Sequence, residues 1–444
     1  MSRLTVFPGH PLCGEVSLPG DKSISHRAAL LAAMAEGQSR VTHFLDSGVT
    51  RALLNALRQL GVDWQLDGET LTVRGQAWRS PQQALNCGNS ATTLRLLAGA
   101  LAARNTAAVL DGSEGLRRRP MGRILQPLRA MGVAIESPDG EHAPLTISQR
   151  PAGQRLRAFT HSLTLASAQV KSCLLLAGLA AEGPVTVIEP HRSRDHSERL
   201  LSALGVKIES RPVADGWAVT IHPHPTDLPA FDLTIPGDTS AAAFWVVAAS
   251  ITPGSRITLT GVGLNPGRTG LLTSLQEMGG RVEIMPRGAQ GGEPVGDVIV
   301  SSADLRGIEI HGERVTAMID EFPVFGVAAA FATGVTHVRE AGELRHKESD
   351  RIRALCRLLN ALGTKVEEHP DGFTIDGQAG LRGGAVVSAE GDHRIAMAAA
   401  IAGLAADQPV TVQGAEMMAE SYPNFAETLL RLGGRIRMEE ENSG

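Results

Sequence analysis

The chain has 444 residues, enough for two or three domains with cores of their own. A formal charge of −5 and an aromatic content of 3% exclude a general nucleic-acid surface built on stacking rings, and equally a membrane-surface role. A mean hydropathy of −0.02 describes a soluble globular protein. No apolar run reaches membrane-spanning length, and the start, Met1 to Val6, has no apolar signal core. Cys13, Cys87, Cys173 and Cys356 are scattered without Cys-x-x-Cys spacing, so neither disulfides nor a cysteine zinc site is expected, and the compartment reads as cytoplasm. Basic residues nevertheless cluster, at Arg117-Arg118-Arg119, His191-Arg192-Ser193-Arg194 and Arg345-His346-Lys347. Local cationic patches in an acidic chain suit a small anionic ligand.

In chain order, the first stretch with chemistry is Leu18-Pro19-Gly20-Asp21-Lys22-Ser23-Ile24-Ser25-His26-Arg27, running on into Ala28 to Ala33. A Pro-Gly turn leads into a predicted helix rich in Ala and Leu, with Asp21 or Ser23 as the N-cap. Lys22 stands at the positive end of the helix dipole, where a cation is unfavourable unless an anion lies between. The stretch recurs as Ile235-Pro236-Gly237-Asp238-Thr239-Ser240, 217 residues after Gly20 and without the cations.

A second signature, Leu-x-x-(Leu or Met)-Gly, ends at Gly61, Gly132, Gly205, Gly279, Gly363 and Gly433. Each reads as a helix stopped by a left-handed glycine. Between these signatures lie six Ala-rich helices, apolar nearly all round and therefore predicted to be buried. Gly37, Gly183, Gly254 and Gly334 read as closing several of them. Six strand–helix–strand–helix–strand units split into two domains of three, with the Pro-Gly turns as crossovers. The expected boundaries are residues 1–20 with 238–444 for one domain and 21–237 for the other, facing each other across a cleft. A solenoid of six units is the plainer alternative.

The starts of these buried helices carry more than caps. Asp238 and Thr239 fit ordinary capping. The others carry Lys22, Ser23 and Arg27; Asn89, Thr92 and Arg95; Ser167, Gln169 and Lys171; Asp320 and Glu321; His393 and Arg394. These are ligand groups on rigid elements, in a pattern that suits anion binding.

Leu18 to Arg27, Gly88-Asn89-Ser90-Ala91-Thr92, Arg118-Arg119-Pro120-Met121, Ser167-Ala168-Gln169-Val170-Lys171-Ser172, Arg345-His346-Lys347-Glu348-Ser349-Asp350-Arg351 and Gly391-Asp392-His393-Arg394 together resemble the 3-phosphoshikimate 1-carboxyvinyltransferase (EPSP synthase) family. The resemblance runs from Leu18 to Pro423 in the family's order. It implies an α/β (α+β) two-lobed enolpyruvyl transferase fold, with three inverse repeats of βαβαβ type per lobe. The implied reaction transfers the enolpyruvyl group of phosphoenolpyruvate to the 5-hydroxyl of shikimate 3-phosphate, on the route to aromatic amino acids. By the same resemblance the shikimate 3-phosphate set is Lys22, Ser23, Arg27, Ser167, Ala168, Gln169, Ser193, Asp320 and Lys347. The phosphoenolpyruvate set is Lys22, Ala91, Arg119, Gln169, Arg351 and Arg394. Asp320 would be the base on the 5-hydroxyl, Glu348 would handle the proton at the methyl carbon, and Lys22 would stabilise charge and assist proton transfer. The lobe holding residues 21–237 would bind shikimate 3-phosphate, and the other would supply the phosphoenolpyruvate clamp and the carboxylates. No cofactor and no metal are implied, and a monomer is the default.

Without the resemblance, Glu348 sits in a run of alternating charge from Arg345 to Arg353 that reads as an exposed helix face. Arg117 and Arg118 read as solvated. Ala91 stands where many members have Gly, and Ala168 replaces a second phosphate-binding Ser. Ala91, Ser-Ala-Gln and Asp-Glu together resemble a subgroup tolerant of the inhibitor glyphosate. Glu343 stands where others place Asn. Glu420 stands where many carry a Lys, so it is expected to point away or to pair with an Arg. The rival readings are a UDP-N-acetylglucosamine enolpyruvyl transferase and a non-catalytic phosphosugar-binding protein. The first typically has Lys-Asn at Lys22-Ser23 and a loop Cys that Asp111 to Met121 lacks. The second would gain nothing from Asp320 and Glu348 among cations.

Overall fold

In the computed structural model, which describes residues 2–224, 227–378 and 380–440, the chain divides into two compact units. Unit one is Met1–Pro19, Gly237–Gly288 and Pro294–Gly444; unit two is Gly20–Pro236 with Ala289–Glu293. Among the described residues there are six sheets, three in each unit, and they share one plan. In unit two, Phe159–Ser162 runs parallel to Val185–Glu189, which pairs antiparallel with Gly216–Ile221, and that strand in turn with Ile208–Val213. In unit one, Glu309–Ile310, Thr333–Val338, Gly372–Gln378 and Lys365–His369 repeat the order and the directions.

Five of the six sheets end in a hairpin, which adds a strand that a five-element unit does not supply; the sixth ends in Ser2–Phe7 paired with Arg435–Glu440. The turn signals are present in the sequence: Asp215-Gly216 and Asp371-Gly372 join two such strands. The six signature glycines all adopt left-handed backbone, with φ between 87° and 99°. The stop for Lys22–Met34 differs from expectation. That helix passes straight into strand Ala35–Thr42, and Gly37 holds its φ of 99° inside the strand, opposite Gly75. Gly334 likewise lies within strand Thr333–Val338.

The six Ala-rich helices are Lys22–Met34, Ala91–Arg104, Ala168–Gly178, Thr239–Ile251, Phe322–Ala330 and His393–Ala405. Every residue of Thr239–Ile251 and of Phe322–Ala330 is buried, which is what all-round apolar sequence dictates. Within each unit these helices pack on one another, so small Ala side chains allow close approach of their backbones. Five of the six starts are side-chain capped, by Asp21, Ser90, Ser167, Asp238 and Asp392. Glu321 heads the sixth without a capping bond.

Pro-Gly before the first helix has a steric cause. A Cβ on Gly20 would fall 1.9 Å from the carbonyl oxygen of His43, so no other residue fits. Asp21 is then held by its N–H to Pro236 O at 2.8 Å. These bonds fix where the helix carrying Lys22, Ser23 and Arg27 begins.

Candidate active site

Unit two presents one set of the predicted residues. Asp21, and not Ser23, caps the first helix, taking the Ile24 N–H at 2.9 Å. Lys22 and Ser23 therefore sit inside its first turn, both part-exposed. Arg27, one turn on, is buried and donates to Ser197 Oγ at 2.7 Å, Ser23 O at 2.9 Å and Ser172 Oγ at 2.8 Å. Burial draws its pKa down to about 10, partly offset by Glu198 and Asp21, so it stays a cation at neutral pH. Its hydrogen-bond partners are neutral oxygens, which leaves the charge suited to an anion.

His26 fixes the same turn. One ring nitrogen, Nδ1, lies 2.8 Å from the Lys22 carbonyl, which can only accept, so Nδ1 carries the proton; Nε2 then accepts from Thr93 Oγ1 at 3.2 Å. Burial holds the pKa of His26 down to about 4, helped by the charges of Lys22 and Arg27 and opposed by the bond to the Lys22 carbonyl. The unfolded chain takes up this proton near 6.5, the folded one only near 4, so acid favours unfolding. Stability should fall as pH drops below 6.5 and level off below about 4, a span of about 3 kcal/mol. Urea midpoints from pH 7 to pH 4.5 test this. His26→Gln should flatten that part of the curve, and an unchanged slope would assign the acid sensitivity elsewhere.

Ser167 caps Ala168–Gly178 through Val170 N at 3.4 Å, and Ala168 and Gln169 follow in the first turn, all three part-exposed. Gln169 is oriented from both ends. Its Oε1 accepts from Arg95 at 2.6 Å and its Nε2 donates to Thr92 Oγ1 at 2.8 Å. Arg95 also donates to Pro120 O at 2.8 Å, tying Gln169 to the segment of Arg119. Arg119 is part-buried, whereas Arg117 pairs with Asp111 at 2.5 Å on the surface and Arg118 with Glu114 at 3.7 Å. Ala91 is 1% exposed, with its methyl in the core of unit two.

Ser193 differs from its expected state. Its N–H is donated to Glu189 at 2.8 Å and its hydroxyl to the same carboxylate at 2.6 Å. Glu189 and Glu198 together hold the fully buried Lys171, each at 2.7 Å. Burial lowers the affinity of Lys171 for its proton, but the two carboxylates more than offset this and leave its pKa above the ordinary value. Lys171, Glu189, Ser172 and Ser197 thus support Arg27 and Ser193 from beneath.

Unit one presents the other set, and Arg351 is its centre. The side chain is 1% exposed and its guanidinium meets three carboxylates: Nε donates to Asp392 at 2.8 Å, one terminal nitrogen to Asp320 at 3.1 Å and the other to Glu348 at 2.6 Å. Burial works against the charge, but Asp392, Glu348 and Asp320 prevail and raise the pKa of Arg351 further. Asp392, fully buried, also caps the last central helix through Arg394 N at 2.9 Å and accepts from Ser349 Oγ at 3.1 Å. Lys347 Nζ lies 3.7 Å from Asp320; burial lowers its pKa, against the pull of Asp320 and Glu343. Arg394 donates one terminal nitrogen to the Asp320 carbonyl at 3.1 Å, and the same nitrogen lies 3.9 Å from Glu321. The run from Arg345 to Arg353 is accordingly no plain exposed helix face. It is a 3₁₀ turn, Gly342–His346, then a helix, Arg351–Ala361, and Arg345 is spent on Asp350 and Glu368.

A family model for EPSP synthase (3-phosphoshikimate 1-carboxyvinyltransferase) matches residues 6–429. A protein named 3-phosphoshikimate 1-carboxyvinyltransferase in Syntrophotalea carbinolica is 48% identical over 427 residues, 95% of this chain and 97% of that one. The chain belongs to the EPSP synthase family. The like-named protein of Geobacter metallireducens is 46% identical over 439 residues, 98% of this chain and 100% of its own. The solved EPSP synthase of Acinetobacter baumannii superposes with a TM-score of 0.87 at 37% identity, over 99% of this chain and 100% of that one. The enolpyruvyl transferase NikO of Streptomyces tendae, at 23% identity and a TM-score of 0.77 over 99% of each chain, shares the fold.

Glu420, expected to point away or to pair with an Arg, has a histidine as its near neighbour. Its carboxylate lies 3.4 Å from His393 Nδ1, and among the described residues no arginine pairs with it. Among the described residues no group of three or more His, Cys, Asp or Glu side chains is placed to hold a metal ion, and no helix is long and apolar enough to cross a membrane. All four cysteines are free thiols.

Proposed function

We propose that this chain transfers the enolpyruvyl group of phosphoenolpyruvate to the 5-hydroxyl of shikimate 3-phosphate and releases phosphate. The observation that carries the reading is the pair of carboxylates, Asp320 and Glu348, bonded to the one guanidinium of Arg351 with Lys347 beside them. A site that merely binds anions gains nothing from carboxylates there.

In this reading the 5-hydroxyl gives its proton to Asp320 as its oxygen bonds to C2 of phosphoenolpyruvate, and a proton is delivered to the methylene carbon. The C2–O bond to phosphate then breaks and the methyl carbon loses a proton, a transfer assigned to Glu348. Lys22 stabilises the charge that develops. Lys22, Ser23, Arg27, Ser167, Ala168, Gln169, Ser193, Asp320 and Lys347 serve shikimate 3-phosphate. Lys22, Ala91, Arg119, Gln169, Arg351 and Arg394 serve phosphoenolpyruvate. For Ser193 the role requires that its hydroxyl turn from Glu189 to the phosphate. Unit two thereby supplies most groups for shikimate 3-phosphate, and unit one the carboxylates and two arginines. We assign the protein to the cytoplasm, as a monomer.

Phosphate release from phosphoenolpyruvate, with shikimate 3-phosphate against UDP-N-acetylglucosamine as acceptor, tests the reading. Release with the first acceptor only is expected; release with neither from folded protein would overturn it. From Ala91 we further propose that the chain groups with the glyphosate-tolerant members. Glyphosate should inhibit weakly, and Ala91→Gly should tighten inhibition by about tenfold, the order for one methyl in a close-packed contact. Tight inhibition of the unaltered enzyme would remove it from that subgroup.

A further inference from the structure

The turn Asp238-Thr239-Ser240 copies Asp21-Lys22-Ser23 without its cations, and the reaction gives it no part. A buried cation nevertheless stands against it. Arg268 is 2% exposed, donates to Ser240 Oγ at 2.7 Å and lies 3.3 Å from Asp238 Oδ1. The Ser240 hydroxyl, having accepted from Arg268, donates its own proton to Glu321 Oε1. Glu321 is 1% exposed, and among the described residues Ser240 is the one hydrogen-bond donor to its carboxylate. The same Oε1 lies 3.9 Å from a terminal nitrogen of Arg394.

We infer that Arg268, Ser240 and Glu321 form a positioning chain that aims the guanidinium of Arg394 at phosphoenolpyruvate. The direction of each proton is determined. Arg268 can only donate, so Ser240 must pass its single proton to Glu321, and the carboxylate is thereby pinned in one orientation. Pinned there, it offsets the charge of Arg394, which is itself buried. Among the described residues, both polar contacts of that guanidinium, with Glu321 and with the Asp320 carbonyl, fall on one terminal nitrogen. The edge formed by Nε and the other terminal nitrogen is left to grip an oxyanion with two parallel N–H groups. A guanidinium without this anchor keeps its charge but loses the direction of that edge. Asp320 shares the benefit, because its backbone is held by the same nitrogen.

The inference rests on the reading that Arg394 binds phosphoenolpyruvate, and the test separates the two. Steady-state kinetics are run on the whole enzyme with each substrate varied. Glu321→Gln keeps the acceptor for Ser240 and removes the charge. It should raise KM for phosphoenolpyruvate about tenfold, leave KM for shikimate 3-phosphate within about twofold and kcat within about threefold. Glu321→Asp, which keeps the charge, should recover most of the loss. Ser240→Ala, which unpins the carboxylate but leaves its charge, should raise the same KM about threefold, and it carries the test if Glu321→Gln does not fold. Arg394→Lys is the control. Should it raise KM for phosphoenolpyruvate while Glu321→Gln and Ser240→Ala do not, the positioning chain is overturned and the role of Arg394 stands. Should Arg394→Lys leave that KM unchanged, the reading of Arg394 falls and the inference with it. Loss of thermal stability in Glu321→Gln with both KM values unchanged would make the chain a packing device only, and also overturns the inference.

Discussion

Arg351→Leu should lose about 3–5 kcal/mol of stability and all measurable turnover. The side chain is 1% exposed and its guanidinium bonds Asp320, Glu348 and Asp392, of which Asp392 is fully buried. Leucine fills much of the volume but leaves those carboxylates without their cation, in a place where water does not reach Asp392. The penalty comes from the stranded charge more than from the lost attraction. It has a pH signature. Arg351 and His393 now hold the pKa of Asp392 below its usual value, against the effect of burial. A carboxylate depressed in this way stabilises the fold above its unfolded pKa and loses that contribution as pH falls through the folded value. Without Arg351 burial dominates and the pKa of Asp392 rises above the ordinary range. The deficit of Arg351→Leu should therefore be largest at pH 7 and shrink as pH falls toward the carboxylate range. Urea titrations of both proteins at pH 7 and pH 5 measure it. Arg351→Lys should be intermediate, since one ammonium cannot bond three carboxylates in the fork geometry. A deficit below about 1 kcal/mol at pH 7 would mean that the carboxylates find water or another cation.

Arg351 also shows where reading the sequence stops. The repeats were legible because they rest on local rules. The glycine stops from Gly61 to Gly433 need left-handed backbone, Asp21 and Asp392 cap their own helices, and the helix Thr239–Ile251 is apolar on every side, so it is buried. Alternating charge from Arg345 to Arg353 is equally local, and it suggests an exposed face. The counter-charge that buries Arg351 comes from Asp392, 41 residues on, and no periodicity reports it. Ser193 is a similar case. Its sequence neighbours are basic, yet both its donors go to the buried Glu189. Arg268 gave little signal either, and Lys171, read as a ligand group at a helix start, is instead fully buried against Glu189 and Glu198. A buried cation is announced by its partners in space, and here they are Asp238 and Ser240 for one, Glu189 and Glu198 for the other. The second strand of each hairpin, such as Gly216–Ile221, was not anticipated although the turn Asp215-Gly216 was present; the first, which opens near Val206-Lys207-Ile208, was.

Asp320→Asn should lower kcat by roughly a thousandfold, the order expected when a positioned general base is removed, while leaving the fold intact. The amide is close in shape, and its oxygen can keep the bond from Arg351 that Asp320 accepts at 3.1 Å. The side chain is 17% exposed, so the substitution strands no deeply buried charge. Arg351 retains Glu348 and Asp392, and Lys347 retains Glu343 and Glu348 as charge partners. What disappears, in the proposed mechanism, is the ability to take a proton from the 5-hydroxyl. KM for phosphoenolpyruvate should move little, since the arginines assigned to it stay in place. The pH dependence separates a base from a bystander. In the unaltered enzyme kcat should fall on the acid side as the base is protonated, and in Asp320→Asn that limb should be gone, leaving a low, flat residual rate. Glu348→Gln should also lower kcat strongly, but by blocking proton transfer at the methyl carbon. It should therefore slow exchange of the methylene protons of phosphoenolpyruvate with solvent more than Asp320→Asn does. If Asp320→Asn kept more than about a tenth of kcat, the base would have to be another group, and Lys22 would be the first to test, its carbonyl already fixed by His26 at 2.8 Å.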